Sequence, residues 1–139
     1  MTQEEKQLLL RDLCARLPYG VNVFVQYEYK PFYGTLYNVY LKNEIINVSN
    51  MHKLYIDRIA YGGFFLEQDN IRPYLRPMSS MTEEERNEYR NIDNRSYSCP
   101  MDYAHIPASD RIDWLNKKMF DYRGLIEKNL ALEAPDNMY

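Results

Sequence analysis

Val21-Asn22-Val23-Phe24-Val25-Gln26, followed by Phe32-Tyr33-Gly34-Thr35-Leu36-Tyr37-Asn38-Val39-Tyr40-Leu41, is the stretch that decides the fold. In the first six residues the valines alternate with Asn22, Phe24 and Gln26, the two-residue period of a strand with one buried face. Glu28-Tyr29-Lys30-Pro31 reads as a turn, and the run from Phe32 to Leu41 reads as a longer strand rich in Tyr, Thr and Val. Lys42-Asn43 is a hairpin signal, and Glu44 to Val48 continues as a third strand. Leu54–Ala60 and Gly63–Leu66 are two further short strand candidates. From Ile71 to Pro77 the chain is extended, and its prolines confine any strand there to an edge.

This spacing of short strands points to a small SH3-like β-barrel, or failing that a bent antiparallel sheet. Helical patterns flank it, so the fold class is α+β. Thr2 and Glu5 have the spacing of a capping box, and Leu9, Leu10, Leu13 and Leu17 recur on one face of a helix over residues 3–17. Pro18-Tyr19-Gly20 stops it. Thr82 and Glu85 repeat the capping box before a second helix that should reach about Arg90. Residues 91–108 show no period and read as a long loop. Ser109 or Asp110 caps a third helix to about Tyr122, with Ile112, Leu115, Met119 and Phe120 on one side, Trp114 near its edge, and Gly124 ending it. Residues 125–128 add at most one turn. Leu130–Ala134 is a last strand candidate, and 136–139 should fray. The chain therefore reads as a single domain over 1–139. Residues 1–20 form its helix, 21–77 the barrel region and 78–139 the helical part.

Length and composition narrow the class. The chain has 139 residues, 45% hydrophobic and 27% charged, enough for a core without disulfide or metal staples and too apolar for disorder. Its net charge is −3, which argues against a general grip on nucleic acid. Residues 21–80 carry six basic against five acidic groups, and residues 81–139 carry eight against twelve. No apolar run approaches the roughly 20 residues of a membrane span. The opening residues lack the basic start and apolar stretch of a secretory signal, so a cytoplasmic protein is expected. Cys14 and Cys99 form no disulfide framework, and Cys14 reads as a small buried residue in its helix.

Catalytic signals are thin. Cys99, Asp102 and His105 fall within seven residues, but their spacing matches no metal site, and a polar loop is the plainer account. Gly62-Gly63 fits a turn or bulge and no phosphate loop. The acidic run Glu83-Glu84-Glu85 suits the first turn of a helix. The reading is of a protein that is not an enzyme and needs neither cofactor nor metal.

Tyrosine is the unusual feature, with 14 copies, eight of them between residues 19 and 61. Half-buried strand positions account for many. The alternative is a contact surface on which a base stacks while arginines hold phosphate. The candidate ligand-binding residues are Tyr37, Tyr40, Tyr61, Arg58, Arg72 and Arg76.

Ile71-Arg72-Pro73-Tyr74-Leu75-Arg76-Pro77-Met78-Ser79-Ser80-Met81-Thr82-Glu83-Glu84-Glu85 and the segment 113–134, with its Phe-Asp-Tyr-Arg-Gly-Leu-Ile-Glu-Lys-Asn-Leu core, resemble small uncharacterised proteins from phages and prophages of gut Bacteroides-type bacteria. Leu17-Pro18-Tyr19-Gly20 is similar too, whereas 91–108 lies outside the resemblance. Glycine often stands in those proteins where this chain has Asn129, which also tolerates a left-handed turn. The resemblance supplies no catalytic residues. It implies an accessory, counter-defence protein in the cytoplasm of an infected or lysogenic host that binds a host protein, a nucleic acid or a nucleotide signal; the Tyr/Arg mix in an acidic chain favours sequestering a nucleotide-like signal without catalysis. The alternative is a protein–protein module that inhibits a host defence protein. A homo-oligomer fits either expectation.

Overall fold

A computed structural model of the chain describes residues 1–27, 30–40, 45–49, 64–66, 70–96 and 106–139. Its elements are α1 (Gln3–Arg16), β1 (Asn22–Tyr27), β2 (Lys30–Tyr40), β3 (Ile45–Ser49), β4 (Phe64–Phe65), β5 (Ile71–Leu75), α2 (Glu83–Ser96), α3 (Ile106–Lys117) and β6 (Leu132–Glu133). The chain is α+β, as its periods indicate. The strand candidate over 54–60 lies outside the described residues.

Among the described residues the expected barrel does not close. The strands form one mixed sheet in the order β4-β3-β2-β1-β5-β6, and its two-residue edges, β4 and β6, are not paired with each other. Neighbours from β4 to β5 are antiparallel, while β6 lies parallel to β5. Nor is β5 an edge strand, despite Pro73. Its Ile71, Arg72 and Pro73 pair with Val25, Phe24 and Val23 of β1, while β6 meets only Tyr74 and Leu75. Among the described residues nothing pairs with Pro73 on the side towards β6, and its missing N–H breaks no ladder bond there.

The inner face carries Val21, Val23, Val25, Phe32, Leu36, Ile46, Ile71 and Leu75, packed against Leu9 and Leu13 of α1. A register shift between Leu36 and Asn38 makes Tyr37 the extra residue of a bulge. The shift lets Leu36 and Val39 both reach the core. Gly20 ends the turn after α1 at φ +70, and an added Cβ would stand 3.3 Å from the Thr35 Cγ2.

Both capping boxes form. Thr2 Oγ1 accepts the Glu5 N–H while Glu5 Oε2 accepts the Thr2 N–H, and Thr82 and Glu85 repeat the exchange. The second helix runs past Arg90 to Ser96, and the third starts at Ile106, ahead of the expected caps. It stops at Lys117 because Met119 takes φ +61, well before Gly124 at φ +70. Leu115, Met119 and Phe120 are buried as expected, but Ile112 is 43% exposed. Asn129, at φ +58, makes the left-handed turn anticipated for it.

Arg76 ties this helical part to the sheet. Its guanidinium makes two 2.8 Å bonds to the Glu85 carboxylate and lies 4.2 Å from the centroid of the Phe120 ring. The Arg76 hydrogen bonds, opposed by partial burial and helped by the Thr82 N–H, hold the Glu85 carboxyl down at about 2 against an ordinary 4.5. A depressed carboxylate stabilises the fold above its unfolded pKa, and that contribution disappears as pH falls from about 4.5 towards 2. Glu85→Gln should therefore be less stable than wild type at pH 7, with the two converging near pH 2. Urea midpoints across that range check it, and a gap constant with pH would refute it.

Candidate functional site

Residues that do not face the core on β1, β2 and β5 line up across the outer face of the sheet. Tyr33 is the register partner of Phe24, and Phe24 is the partner of Arg72. One row thus crosses three strands at the ~4.8 Å strand spacing. The Phe24 and Tyr33 rings meet edge to face at 5.5 Å and 61°, and Tyr33 stacks diagonally with Tyr74 at 6.4 Å and 27°. Burial, and then the neighbouring Tyr33, push the Tyr74 phenol up, so it stays neutral. Tyr33 remains 58% exposed, leaving ring surface open to solvent.

Arg72 is held where this row ends. Its Nε donates to Asn70 Oδ1 at 3.1 Å and its Nη1 to Asn129 Oδ1 at 3.0 Å. Both asparagines sit at positive φ, +44 and +58, a conformation that short amide side chains tolerate. Arg72 also lines a cleft of about 330 Å³ with Lys128 and Glu5, over apolar walls that include Leu9, Ile71 and Leu130. The Thr2 backbone hydrogen bond holds the Glu5 carboxyl below its ordinary value. The row can stack a planar ring on its outer face, with Arg72 at its end; Arg72 and Lys128 line the cleft, and Phe24, Tyr33 and Tyr74 do not.

The other expected site residues do not assemble here. Arg76 lines a separate cleft of about 340 Å³ with Glu85, Glu133 and Tyr139, and its charge is already matched by Glu85. Tyr37 is 49% exposed at the bulge, away from the row. Tyr40 belongs to β2, but its side chain is outside the description. Arg58 and Tyr61 lie outside the described residues, as do Cys99 and His105. Cys14 is a free thiol, only half-buried rather than buried, with burial raising its pKa. Among the described residues no group of three His, Cys, Asp or Glu side chains could hold a metal ion. No helix there is long and apolar enough to cross a membrane.

Three members of the row and its diagonal, Phe24, Tyr33 and Tyr74, were not among the expected residues. The signal was present in the strand period, because Phe24 and Tyr33 are out of phase with the buried valines and Phe32. The C-terminal residues also differ from expectation. The Tyr139 hydroxyl accepts the Asn22 N–H at 3.0 Å and donates to the Tyr74 carbonyl at 2.9 Å. One hydroxyl thus links β1 and β5 just past their ladder. Burial pushes its pKa up to about 12, so the donor proton stays in place.

No protein-family model matches the chain, and no curated protein or solved structure matches it either.

Proposed function

We propose that the chain is a binding protein without catalytic activity that sequesters a nucleotide-like small molecule, in the counter-defence role that its resemblance to phage proteins implies. The observation that supports this is the row Tyr33–Phe24–Arg72, where an exposed ring and a fixed cation share one open sheet face. Stacking tolerates any base, and a guanidinium reads phosphate geometry. A net charge of −3 disfavours long nucleic acid without disfavouring a small ligand.

The test is calorimetric titration of the full chain with nucleosides and nucleotides, with mass spectrometry of the recovered ligand. Stoichiometric binding and an intact ligand are expected. Tyr33→Ala should weaken binding roughly 5- to 150-fold, the loss of one base-stacking contact. Absence of binding across the panel would overturn the reading.

A second reading, a protein contact that inhibits a host defence protein, draws on Tyr37. It is exposed four residues along β2 from Tyr33, roughly 13 Å away and beyond one base. In that case Tyr37→Ala would abolish capture of a host protein and leave nucleotide titrations unchanged. Native mass spectra of the same samples report whether the chain is a homo-oligomer.

A further inference from the structure

Residues 134–139 form a strap that returns to the sheet beside the aromatic row. We infer that Tyr139 is a positioning residue for the stacking face, its hydroxyl fixing Tyr74 against Tyr33, a role that rests on the nucleotide reading above.

The local sequence brings Tyr139 back to the strands. The strap leaves β6 through the Ala134 N–H, which donates to the Leu75 carbonyl at 2.8 Å. Pro135 to Met138 then form a turn, closed by the Met138 N–H on the Pro135 carbonyl at 3.2 Å. A type II turn requires a positive φ at its third residue, and Asn137 supplies it at +64. The reversal sets the Tyr139 hydroxyl at the end of the β1–β5 ladder. That ladder stops at Val23–Pro73, and the next residues in register are Asn22 and Tyr74. There the hydroxyl stands between the strands, accepting the Asn22 N–H at 3.0 Å and donating to the Tyr74 carbonyl at 2.9 Å. Two bonds in series hold the strands further apart than one direct bond of about 2.9 Å would.

Tyr74 depends on this link. Pro73 before it has no N–H, and β6 pairs with Tyr74 on its other side. Among the described residues the Tyr139 hydroxyl is what ties the Tyr74 carbonyl to β1. The Tyr74 ring in turn stacks on Tyr33 at 6.4 Å and 27°, and so supports the exposed ring on which a base would lie. Without the hydroxyl, either water satisfies the two backbone groups or Asn22 and Tyr74 pair directly. Both outcomes shift the Tyr74 backbone and disturb the stack. Pro135, Asp136 and Asn137 are exposed, so the strap can be altered without touching the core.

Calorimetric titration of the full chain with AMP, GMP, CMP and UMP tests the role. Tyr139→Phe keeps the ring and removes both bonds. It should weaken whichever of these bind the wild type by roughly three- to tenfold. Tyr74→Ala should abolish that sensitivity, so that adding Tyr139→Phe to it changes affinity by less than about twofold. A merely structural role would leave the two losses additive. Asn137 gives a handle outside the face. Asn137→Val strains the turn at its positive φ and should mimic Tyr139→Phe, whereas Asn137→Gly suits that φ and should bind like the wild type. Wild-type affinity in Tyr139→Phe, or additive losses in the double variant, overturns the role and leaves the stacking face standing. No binding of any of the four by the wild type removes the nucleotide reading and the role together.

Discussion

Asp12→Ala should cost about 3–5 kcal/mol of stability, as expected when one partner of a buried ion pair is removed. Asp12 and Arg16 are both fully buried on α1. Arg16 Nε and Nη2 bond the two carboxylate oxygens at 2.8 and 3.1 Å, and Nη2 also reaches the Phe120 carbonyl at 2.8 Å. Arg123 adds a 2.7 Å contact to Asp12 Oδ1, so one carboxylate answers two guanidinium groups. Tyr122 lies beneath both, with guanidinium carbons 5.7 and 4.4 Å from its ring centroid. Arg16 Nη1 has no hydrogen-bond partner among the described residues. Truncating Asp12 leaves the Arg16 charge buried with no carboxylate among the described residues to answer it, only the Phe120 carbonyl and the Tyr122 ring. Alanine is a good helix former, so the loss measures the pair and not α1 itself. The double replacement Asp12→Leu, Arg16→Met should recover about 2 kcal/mol or more of that loss, because no buried charge remains. Urea denaturation of the three proteins decides it. A single-mutant loss under about 1 kcal/mol would mean that the Arg16 charge is hydrated rather than buried.

That pair also shows where reading the chain succeeds and where it stops. The capping boxes at Thr2/Glu5 and Thr82/Glu85 were legible because their partners are three residues apart. Asn129 was legible because a left-handed turn is a property of one residue. The valine alternation gave the inner face of β1, and its complement held Phe24. By contrast, the buried stripe of α1 is Leu9, Asp12, Leu13 and Arg16. An apolar reading of the helix took Leu10 and Leu17 instead, which are only partly buried. Nothing local marks Asp12 and Arg16 as buried, because Phe120 and Arg123 reach them from more than 100 positions away. The same distance hid the site. Arg72 and Arg76 have the right spacing to share a strand face, yet Asn129 draws one to a cleft and Glu85 binds the other. The order of the sheet was hidden as well, since β6 comes from the far end of the chain and lies beside β5.

Phe120→Ala should destabilise by about 3–5 kcal/mol, the range for emptying a large aromatic site in a core. The ring is fully buried between two partners, the Arg76 guanidinium at 4.2 Å and the Trp114 indole stacked at 5.7 Å and 15°. It belongs to a satellite core with Met81 and Leu115, under Tyr89 of α2. Its backbone serves other elements: the carbonyl accepts Arg16 from α1, and Phe120 bridges Arg76 beside the sheet. One residue therefore joins three parts of the fold: α1, the sheet and the helical pair. Truncation keeps the backbone contacts but removes the surface against which Arg76 is held over Glu85. The loss should accordingly exceed the transfer free energy of the ring alone. Phe120→Leu, which retains most of the volume, should cost less than half as much. Trp114 is the only tryptophan in the chain and reports directly on the vacated site. Urea unfolding followed by its fluorescence gives both the stability and, in the native baseline, the change around the indole. A loss below about 1.5 kcal/mol with an unchanged native spectrum would mean that α2 and α3 close over the gap, and that Arg76–Glu85 holds the helical part to the sheet without the ring.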